Sequence, residues 1–297
     1  MSKNKTPKPD YSLFVSRVDF FVFGLAGALY FLSFSLGDKL GHVYKVGGIV
    51  IASFVFAVAC YLSYANTFGA KRARDIIVRE LSPKLKGDEI VLDVGTGSGL
   101  ILIGLAKLLN NGGKAHGVDI WETERDRERK ILDRSLKTPK LTLKNAEIEG
   151  VADRVQLLGG DPRNVPYPND YFDVCCCADL AHHLSKGSLD RTIIQMVRVT
   201  KNGGLLVIHD FWHMERTKKL LKKFGMEIEK IVSSSPILPI SRCIIARKPV
   251  DGLTTQTGEI LSKKSKQKPP IELASLSKEE EESLKRHFAE IEREKEK

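Results

Sequence analysis

The residues from Val91 to Gly99 combine an apolar run, an acid and three alternating glycines. The run Val-Leu-Asp-Val at 91–94 is typical of a buried parallel strand. Three glycines then turn the chain into a helical pattern that extends from Leu100 to Leu109. Because glycine lacks a Cβ, a ligand can approach this backbone closely, and the start of the helix favours an anionic group. The pattern predicts a strand, turn and helix that bind a cofactor.

The spacing of the glycines separates two kinds of cofactor site. A dinucleotide-binding turn reads G-x-G-x-x-G and requires a glycine where this chain has Leu100. The observed Asp93 followed by G-x-G-x-G resembles motif I of the class I S-adenosylmethionine-dependent methyltransferases. A nucleotide-dependent oxidoreductase remains the alternative at this point. The resemblance implies that the cofactor contacts Asp93, Gly95, Thr96, Gly97 and Gly99.

Two further segments match the cofactor site of the same family. Residues 114–120 are predicted to form a second strand that ends in Asp119, at the distance where such folds place an acid on the ribose hydroxyls. Residues 154–161 are predicted to form a third strand that ends in Gly-Asp, and the matching acid of the family accepts a hydrogen bond from the adenine amino group. The resemblance therefore adds Asp119, Ile120, Gly160, Asp161 and Asp179 to the cofactor site.

The resemblance covers roughly residues 70–249 and is closest to small-molecule methyltransferases related to the quinone-biosynthesis enzymes. Phe172–Asp179 resembles the fourth strand, and a Gly-Gly turn within Val199–Asp210 resembles the entry to the fifth. A helix from Lys222, a strand at about 226–232 and an antiparallel strand at 242–247 complete the pattern. It predicts an α/β fold with a Rossmann-like, doubly wound, mostly parallel sheet of seven strands.

Candidate catalytic residues follow the fourth and fifth strands, where the family places its acceptor substrate. Methyl transfer is an in-line displacement that depends on the positions of the nucleophile and the methyl group. A histidine near neutral pKa can also remove a proton from the acceptor. We assign catalysis to His182, Asp179 and Asp210. Weaker candidates are His183, His213 and His209, and His209 alternatively points into a packing layer of its strand.

The beginning of the chain carries two long apolar segments. Residues 20–37 are eighteen consecutive residues without a charge, and residues 46–70 are twenty-five. Each is long enough to cross a hydrocarbon core about 30 Å thick. They predict a two-helix transmembrane hairpin at 19–66, with spans at about 19–37 and 46–65. A buried hairpin of a soluble protein is the alternative, but it is disfavoured because the first segment is apolar all round.

The cations beside the apolar segments predict the orientation of the hairpin. Basic residues precede the first span within a basic N-terminus at 1–18, and others follow the second span, whereas the loop between the spans holds only Lys39 and Lys45. By the positive-inside rule both ends face the cytosol, and the catalytic domain lies there too. The flanking cations are Lys3, Lys5, Lys8, Arg17, Lys71, Arg72, Arg74 and Arg79.

The remaining segments add less. Residues 121–140 form a charged insert in which Trp121 either stacks on adenine or anchors the insert, and residues 250–297 read as a flexible linker and a charged helix. The net charge of +10 comes without a nucleic-acid recognition module, so no nucleic-acid partner is expected. The cysteines lack the spacing of a metal site and are interpreted as small core residues, at 60, 175, 176, 177 and 243.

The sequence thus predicts an integral membrane protein with two spans that uses S-adenosylmethionine to methylate a small or lipophilic acceptor drawn from the bilayer surface. Its expected partners are this acceptor and membrane lipids. Two alternatives stay open besides the soluble hairpin. One is a nucleotide-dependent oxidoreductase, and the other is an inactive membrane scaffold that retains the methyltransferase fold. The sequence makes no prediction of the oligomeric state.

Overall fold

A computed structural model describes residues 8–11, 17–121, 139–233 and 241–251. The chain divides into two units, one of Ser12–Ala73 and one of Met1–Tyr11 with Arg74–Lys297. The predictions for most of the charged insert and for nearly all of the C-terminal tail lie outside the described residues.

The larger unit alternates strands and helices along the chain. Its strands are β1 (Ile90–Val94), β2 (Lys114–Asp119), β3 (Val155–Gly159), β4 (Phe172–Ala178), β5 (Thr200–Asp210), β6 (Glu227–Ser233) and β7 (Arg242–Arg247). The helices of the described chain are α1 (Arg17–Leu40), α2 (His42–Leu81), α3 (Leu100–Ala106), α4 (Pro139–Ile148), α5 (Lys186–Val199) and α6 (Met214–Lys223).

Within the described residues, seven strands form one sheet in the order β3-β2-β1-β4-β5-β7-β6. β7 is antiparallel to both of its neighbours, β5 and β6, and the other pairs are parallel. The predicted mostly parallel sheet of seven strands is confirmed. The chain moves outward from β1 to β3 and then returns to β4 beside β1. Ligands of open α/β sheets bind at the carboxyl ends of strands at such a reversal.

The sheet is covered by apolar residues on both faces. Leu92 and Val94 belong to one buried cluster and Val91 to another, because alternate residues of a strand point to opposite faces. The cysteines of β4 divide in the same way, with Cys175 and Cys177 in the first cluster and Cys176 in the second. Their interpretation as small core residues is confirmed, as it is for position 243. It is wrong for position 60, which is exposed.

Two helix boundaries differ from the predictions. The helix after the glycine turn ends at Ala106 rather than Leu109, because the chain tightens there into bonds between residues three apart, from Leu108 N–H to Leu105 O (2.9 Å) and from Leu109 N–H to Ala106 O (3.2 Å). The helix between β5 and β6, α6, begins at Met214 and ends at Lys223, one residue past Lys222, where we predicted its start. Periodicity identified both helices but not their ends.

In the smaller unit, α1 and α2 pack as an antiparallel pair. Tyr30 Oη lies 2.6 Å from Ser53 Oγ, and nearer the other end the rings of Phe23 and Phe56 meet edge to face with centroids 5.7 Å apart. Residues early in α1 therefore contact residues late in the hairpin. Gly48 supports the close approach of the helices, since a Cβ there would clash with the side chain of Ser33.

The residues buried in this unit are small and many of the exposed ones are large. Ala26, Ala52 and Ala59 have no exposed surface, whereas Phe31 and Phe54 are 75% and 70% exposed. Within the described residues, His42–Tyr61 is the one helical stretch long and apolar enough to cross a membrane, and Phe21–Leu36 is a shorter apolar stretch. The second predicted span therefore has a counterpart of full length and the first does not.

Candidate functional site

The glycine turn between β1 and α3 has a left-handed backbone at alternate residues. The φ angles of Gly95, Gly97 and Gly99 are 83°, 57° and 88°, which explains why glycine recurs at these positions. The N–H of Gly95 donates to the carbonyl of Val118 (2.8 Å), and the N–H of Gly97 donates to the Asp119 carboxylate (2.6 Å). The neighbouring strand β2 therefore fixes the conformation of this turn.

Asp93 is a buried acid at the end of β1, only 1% exposed. Burial, followed by the charge of Asp119, raises the pKa of Asp93 to about 7. Among the described residues, its Oδ2 atom has no hydrogen-bond partner. A buried acceptor of this kind is costly unless a donor or a cation meets it, so the position suits a ligand that carries a positive charge or N–H groups.

The residues after β2 form a second part of the site. Asp119 holds the glycine turn through Gly97, and a carboxylate can accept further hydrogen bonds from ribose hydroxyls. Ile120 is 61% exposed, whereas the indole nitrogen of Trp121 is buried without a hydrogen-bond partner among the described residues. The Gly160 N–H donates to the Asp119 carbonyl (2.9 Å), which joins the end of β3 to the end of β2.

Asp161, predicted to bind the adenine amino group, is already engaged by a neighbouring side chain. The Nε atom of Arg163 lies 2.9 Å from both carboxylate oxygens of Asp161, and Nη2 lies 2.5 Å from one of them. Although burial acts to raise it, these hydrogen bonds and the charge of Arg163 lower the pKa of Asp161 below its usual range. The predictions missed Arg163, which the local Asp-x-Arg spacing could have indicated.

The ends of β4 and β5 bring a histidine and an acid together. His182 Nδ1 lies 3.2 Å from both oxygens of the Asp210 carboxylate. This carboxylate is fully buried and also accepts from the backbone N–H groups of Phe211 (2.7 Å) and Trp212 (3.0 Å). Burial acts to raise the pKa of Asp210, but the bonds to His182 and to the backbone lower it. An ionised Asp210 fixes the orientation of His182.

A second pair crosses between the same strands in the opposite direction. His209 Nδ1 lies 3.0 Å from Asp179 Oδ1, and the Asp179 N–H donates to the His209 carbonyl (2.9 Å). Both contacts follow from the register of the sheet, in which Ala178 pairs with His209. Asp179 has a φ of 53°, a left-handed conformation uncommon for residues other than glycine. His209 is buried as its alternative interpretation proposed, and it contacts a candidate residue as well.

The other two candidate histidines lie at the edge of this cluster. His183 is exposed, and its ring centroid is 3.9 Å from that of His182. His213 precedes α6 with a φ of 58°, and its ring lies 5.7 Å from that of Trp212. The ring of Phe211 is 4.6 Å from that of His182, so His182 has aromatic contacts with both His183 and Phe211.

The glycine turn and the two histidine pairs are adjacent. A Cβ placed on Gly95 would lie 2.9 Å from the side chain of Leu180, which follows β4 between Asp179 and His182. The turn also contacts α4, because Thr142 Oγ1 donates to the Gly97 carbonyl (2.9 Å). Thr142 and Asn145, one helical turn apart in α4, were not predicted, since nothing in a polar helix after a charged insert indicates such contacts.

The comparisons with known proteins identify this region. Residues 92–208 match the family model described as a methyltransferase domain. The matched segment, from β1 to β5, is therefore similar to a methyltransferase domain. The domain match favours the methyltransferase interpretation over the oxidoreductase alternative. The positive-φ turn, the unpartnered buried oxygen of Asp93 and the acids at the ends of β1, β2 and β4 fit S-adenosylmethionine, which carries an ammonium group, a sulfonium centre and ribose hydroxyls.

Two curated relatives and two solved structures are similar to the methyltransferase domain. A ubiquinone/menaquinone biosynthesis C-methyltransferase UbiE from Pseudomonas entomophila is 30% identical over 149 residues, 48% of this chain and 49% of the relative. A probable methyltransferase ltbC from Aspergillus luteorubrus is 28% identical over 131 residues, 44% of this chain and 42% of the relative. The chain thus spans about half the length of the curated relatives it matches.

The two solved structures are more distant in sequence. Magnesium protoporphyrin IX methyltransferase from Synechocystis, with bound S-adenosylmethionine, is 18% identical, with a TM-score of 0.49 over 62% of this chain and 82% of that one. A methyltransferase from Aquifex aeolicus is 19% identical, with a TM-score of 0.44 over 59% of this chain and 88% of that one.

Proposed function

We propose that this protein is a membrane-anchored methyltransferase that transfers a methyl group from S-adenosylmethionine to a small or lipophilic acceptor. The observation that carries the catalytic part is the His182–Asp210 pair beside the glycine turn. The observation that carries the membrane part is the hairpin with small residues inside and large apolar residues outside.

His182 is the proposed base. The bound cofactor supplies an electrophilic methyl group, and the protein has to position the acceptor and remove its proton. When Nδ1 of His182 donates to the ionised Asp210, Nε2 of the neutral imidazole is the proton acceptor. Asp210 also stabilises the imidazolium that forms after proton transfer. The side chain of His182 is 21% exposed, so an acceptor molecule can reach it.

Asp179 is proposed to contact the cofactor or the acceptor and to depend on His209 for its position. His209 is 3% exposed and therefore has little access to an acceptor itself. Its bond to the carboxylate stabilises Asp179 in a left-handed conformation that costs on the order of 1 kcal/mol or more. We therefore assign His209 a positioning role.

The packing of α1 against α2 supports insertion into a membrane. In water, exposed phenylalanines and buried alanines are the reverse of the stable arrangement, whereas helices in lipid pack through small residues and expose large apolar ones. Tyr30 and Ser53 satisfy each other's hydroxyl groups between the helices, as polar groups within a bilayer require. We propose that both helices cross the membrane and that the flanking cations keep the methyltransferase domain on the cytosolic side.

A lipophilic acceptor follows from the combination of these two parts. Membrane attachment holds the enzyme where an apolar molecule concentrates. The Phe211 ring lies 4.6 Å from that of His182, and Phe211 and Trp212 are 44% and 56% exposed. Exposed aromatic rings of this kind suit an apolar acceptor better than a highly charged metabolite.

The catalytic proposal is tested by the His182→Gln variant. The full chain in detergent is incubated with S-adenosylmethionine labelled in its methyl group and with a lipid extract, and incorporation into lipid is followed. Loss of a general base lowers the rate roughly 10²–10⁴-fold and leaves the Kd for S-adenosylmethionine unchanged. Lys219→Gln, at an exposed position of α6, is the control and retains the rate. A His182→Gln enzyme as fast as the wild type contradicts the assignment.

The membrane proposal is tested by extraction and labelling. The full chain in isolated membranes resists extraction by alkaline carbonate, and release by carbonate contradicts two membrane spans. In a Cys60→Ser background, a His42→Cys thiol at the start of α2 reacts with a membrane-impermeant maleimide from the side opposite the cytosol. A Lys86→Cys thiol, which lies in the larger unit, reacts only from the cytosolic side. Labelling of both thiols from one side contradicts the proposed orientation.

A further inference from the structure

A short segment before α1 contacts the glycine turn through a buried asparagine. The N–H of Asp10 donates to Asn145 Oδ1 (2.8 Å), and Asn145 Nδ2 donates to the Asp10 carbonyl (2.7 Å). The same Nδ2 atom donates to the Ser98 carbonyl (3.0 Å). Asn145 is 1% exposed and therefore joins the segment to the turn without competition from water.

The next residue of the segment contacts the turn directly. Ser98 Oγ donates to the Tyr11 carbonyl (2.7 Å), and Tyr11 Oη donates to Glu149 (3.0 Å) at the end of α4. Lys107, 2.6 Å from the second oxygen of Glu149, holds that carboxylate in place. Burial, followed by the bond to Glu149, raises the pKa of Tyr11 far above its usual range, so the phenol remains protonated and donates.

These contacts restrain the glycine turn at Ser98. Ser98 lies between Gly97 and Gly99, two glycines with positive φ that have no side chains to restrain them. Asp119 holds the turn through the Gly97 N–H, and Ser98 and its partners provide a second restraint. A loop restrained at two points loses less conformational entropy when it binds a ligand than a loop restrained at one point.

We infer that Asp10, Tyr11 and Asn145 form a clasp on the cofactor turn, and that the affinity for S-adenosylmethionine depends on the segment that leads into the first apolar helix. Residues 12–16 alone separate this clasp from the start of α1 at Arg17. The apolar hairpin and the segment that contacts the glycine turn are therefore linked by a few residues of chain. The inference rests on the cofactor assignment of the proposed function but not on its acceptor or its base.

The clasp predicts that two distant changes act through one contact. Ser98→Ala removes the donor to Tyr11 and leaves the backbone in place, and deletion of residues 1–11 removes the acceptor. In the full chain in detergent, each change raises the Kd for S-adenosylmethionine roughly tenfold by titration calorimetry, and the double variant is no weaker than the deletion alone. Ser188→Ala is the control, because the Ser188 hydroxyl contacts Ser185 at the start of its own helix. This variant binds S-adenosylmethionine as tightly as the wild type does.

Hydrogen exchange tests the clasp without the cofactor. Amides of residues 95–100 exchange faster in Ser98→Ala and in the deletion variant than in the wild type, and amides of β4 are unchanged. Independent, multiplicative effects on the Kd, or wild-type exchange in both variants, overturn the inference. A wild-type chain that binds no S-adenosylmethionine instead contradicts the cofactor assignment, and the exchange data still decide whether the clasp exists.

Discussion

Replacing Asp93 by asparagine removes a charge that the fold holds away from water. Asparagine has nearly the same shape, and its Oδ1 can keep the bond that Asp93 accepts from the Leu102 N–H. The charge on Asp93 is opposed by burial and by Asp119, which together raise its pKa from 3.8 to about 7. The variant therefore isolates the electrostatic cost of this carboxylate.

The magnitude follows from the linkage between protonation and folding. Because the folded-state pKa is raised, the folded chain binds more protons than the unfolded chain between about pH 4 and pH 7, and Asp93 destabilises the fold increasingly as pH rises through this range. With 3.8 and about 7 as the two pKa values, the cost is about 2 kcal/mol at pH 5 and about 4 kcal/mol at pH 8. Relative to the wild type, Asp93→Asn should gain roughly 2–3 kcal/mol of stability between these two pH values.

Urea unfolding followed by tryptophan fluorescence measures this difference. Both tryptophans of the chain, Trp121 and Trp212, lie in the larger unit, so the signal reports on that unit and not on the hairpin. The difference between two pH values cancels any constant cost of packing the asparagine amide. If the free energies of unfolding of variant and wild type run parallel from pH 5 to pH 8, the raised pKa assigned to the buried Asp93 carboxylate is refuted.

Asp93→Asn stabilises the fold at high pH but weakens the binding of S-adenosylmethionine. A cationic ligand stabilises the ionised form of Asp93, so wild-type binding of S-adenosylmethionine strengthens as pH rises toward 8 and releases a proton. Asp93→Asn loses both the affinity and its pH dependence. Calorimetry in two buffers with different ionisation enthalpies detects the proton, and equal heats in both buffers for the wild type at pH 6.5 contradict the prediction.

Two further substitutions test the geometry of the site. Arg163→Ala frees the Asp161 carboxylate and raises its pKa toward the usual value. If Asp161 accepts a hydrogen bond from the adenine amino group, this variant binds S-adenosylmethionine a few-fold more tightly by calorimetry. Weaker binding contradicts that role. Gly99→Ala places a Cβ 2.7 Å from the side chain of Thr142. Gly112 has a similar positive φ, but a Cβ there would meet no atom within 4 Å, so Gly99→Ala lowers the free energy of unfolding by about 1–3 kcal/mol more than Gly112→Ala does. Equal losses of stability contradict steric exclusion at Gly99.

Several features were accessible from the sequence because they depend on neighbouring residues. The alternating glycines, the acids that end β1 and β2, and the apolar periodicity of the strands are local patterns, and all of them correspond to observed elements. The alternation of Cys175, Cys176 and Cys177 between two buried clusters follows from strand geometry in the same way. The ends of helices were less accessible, because they depend on how the last turn is hydrogen-bonded.

The sequence by itself determined the order of strands and helices, the cofactor turn and the apolar character of the hairpin, since each is set by the spacing of residues along one element. Only the tertiary structure decided which side chains meet. The crossed pairs His182–Asp210 and His209–Asp179 depend on the register of β4 against β5, and the contact of Asp10 with Asn145 joins residues 135 positions apart. Such contacts require elements distant in sequence to pack at one edge of the sheet, and no local pattern encodes that packing.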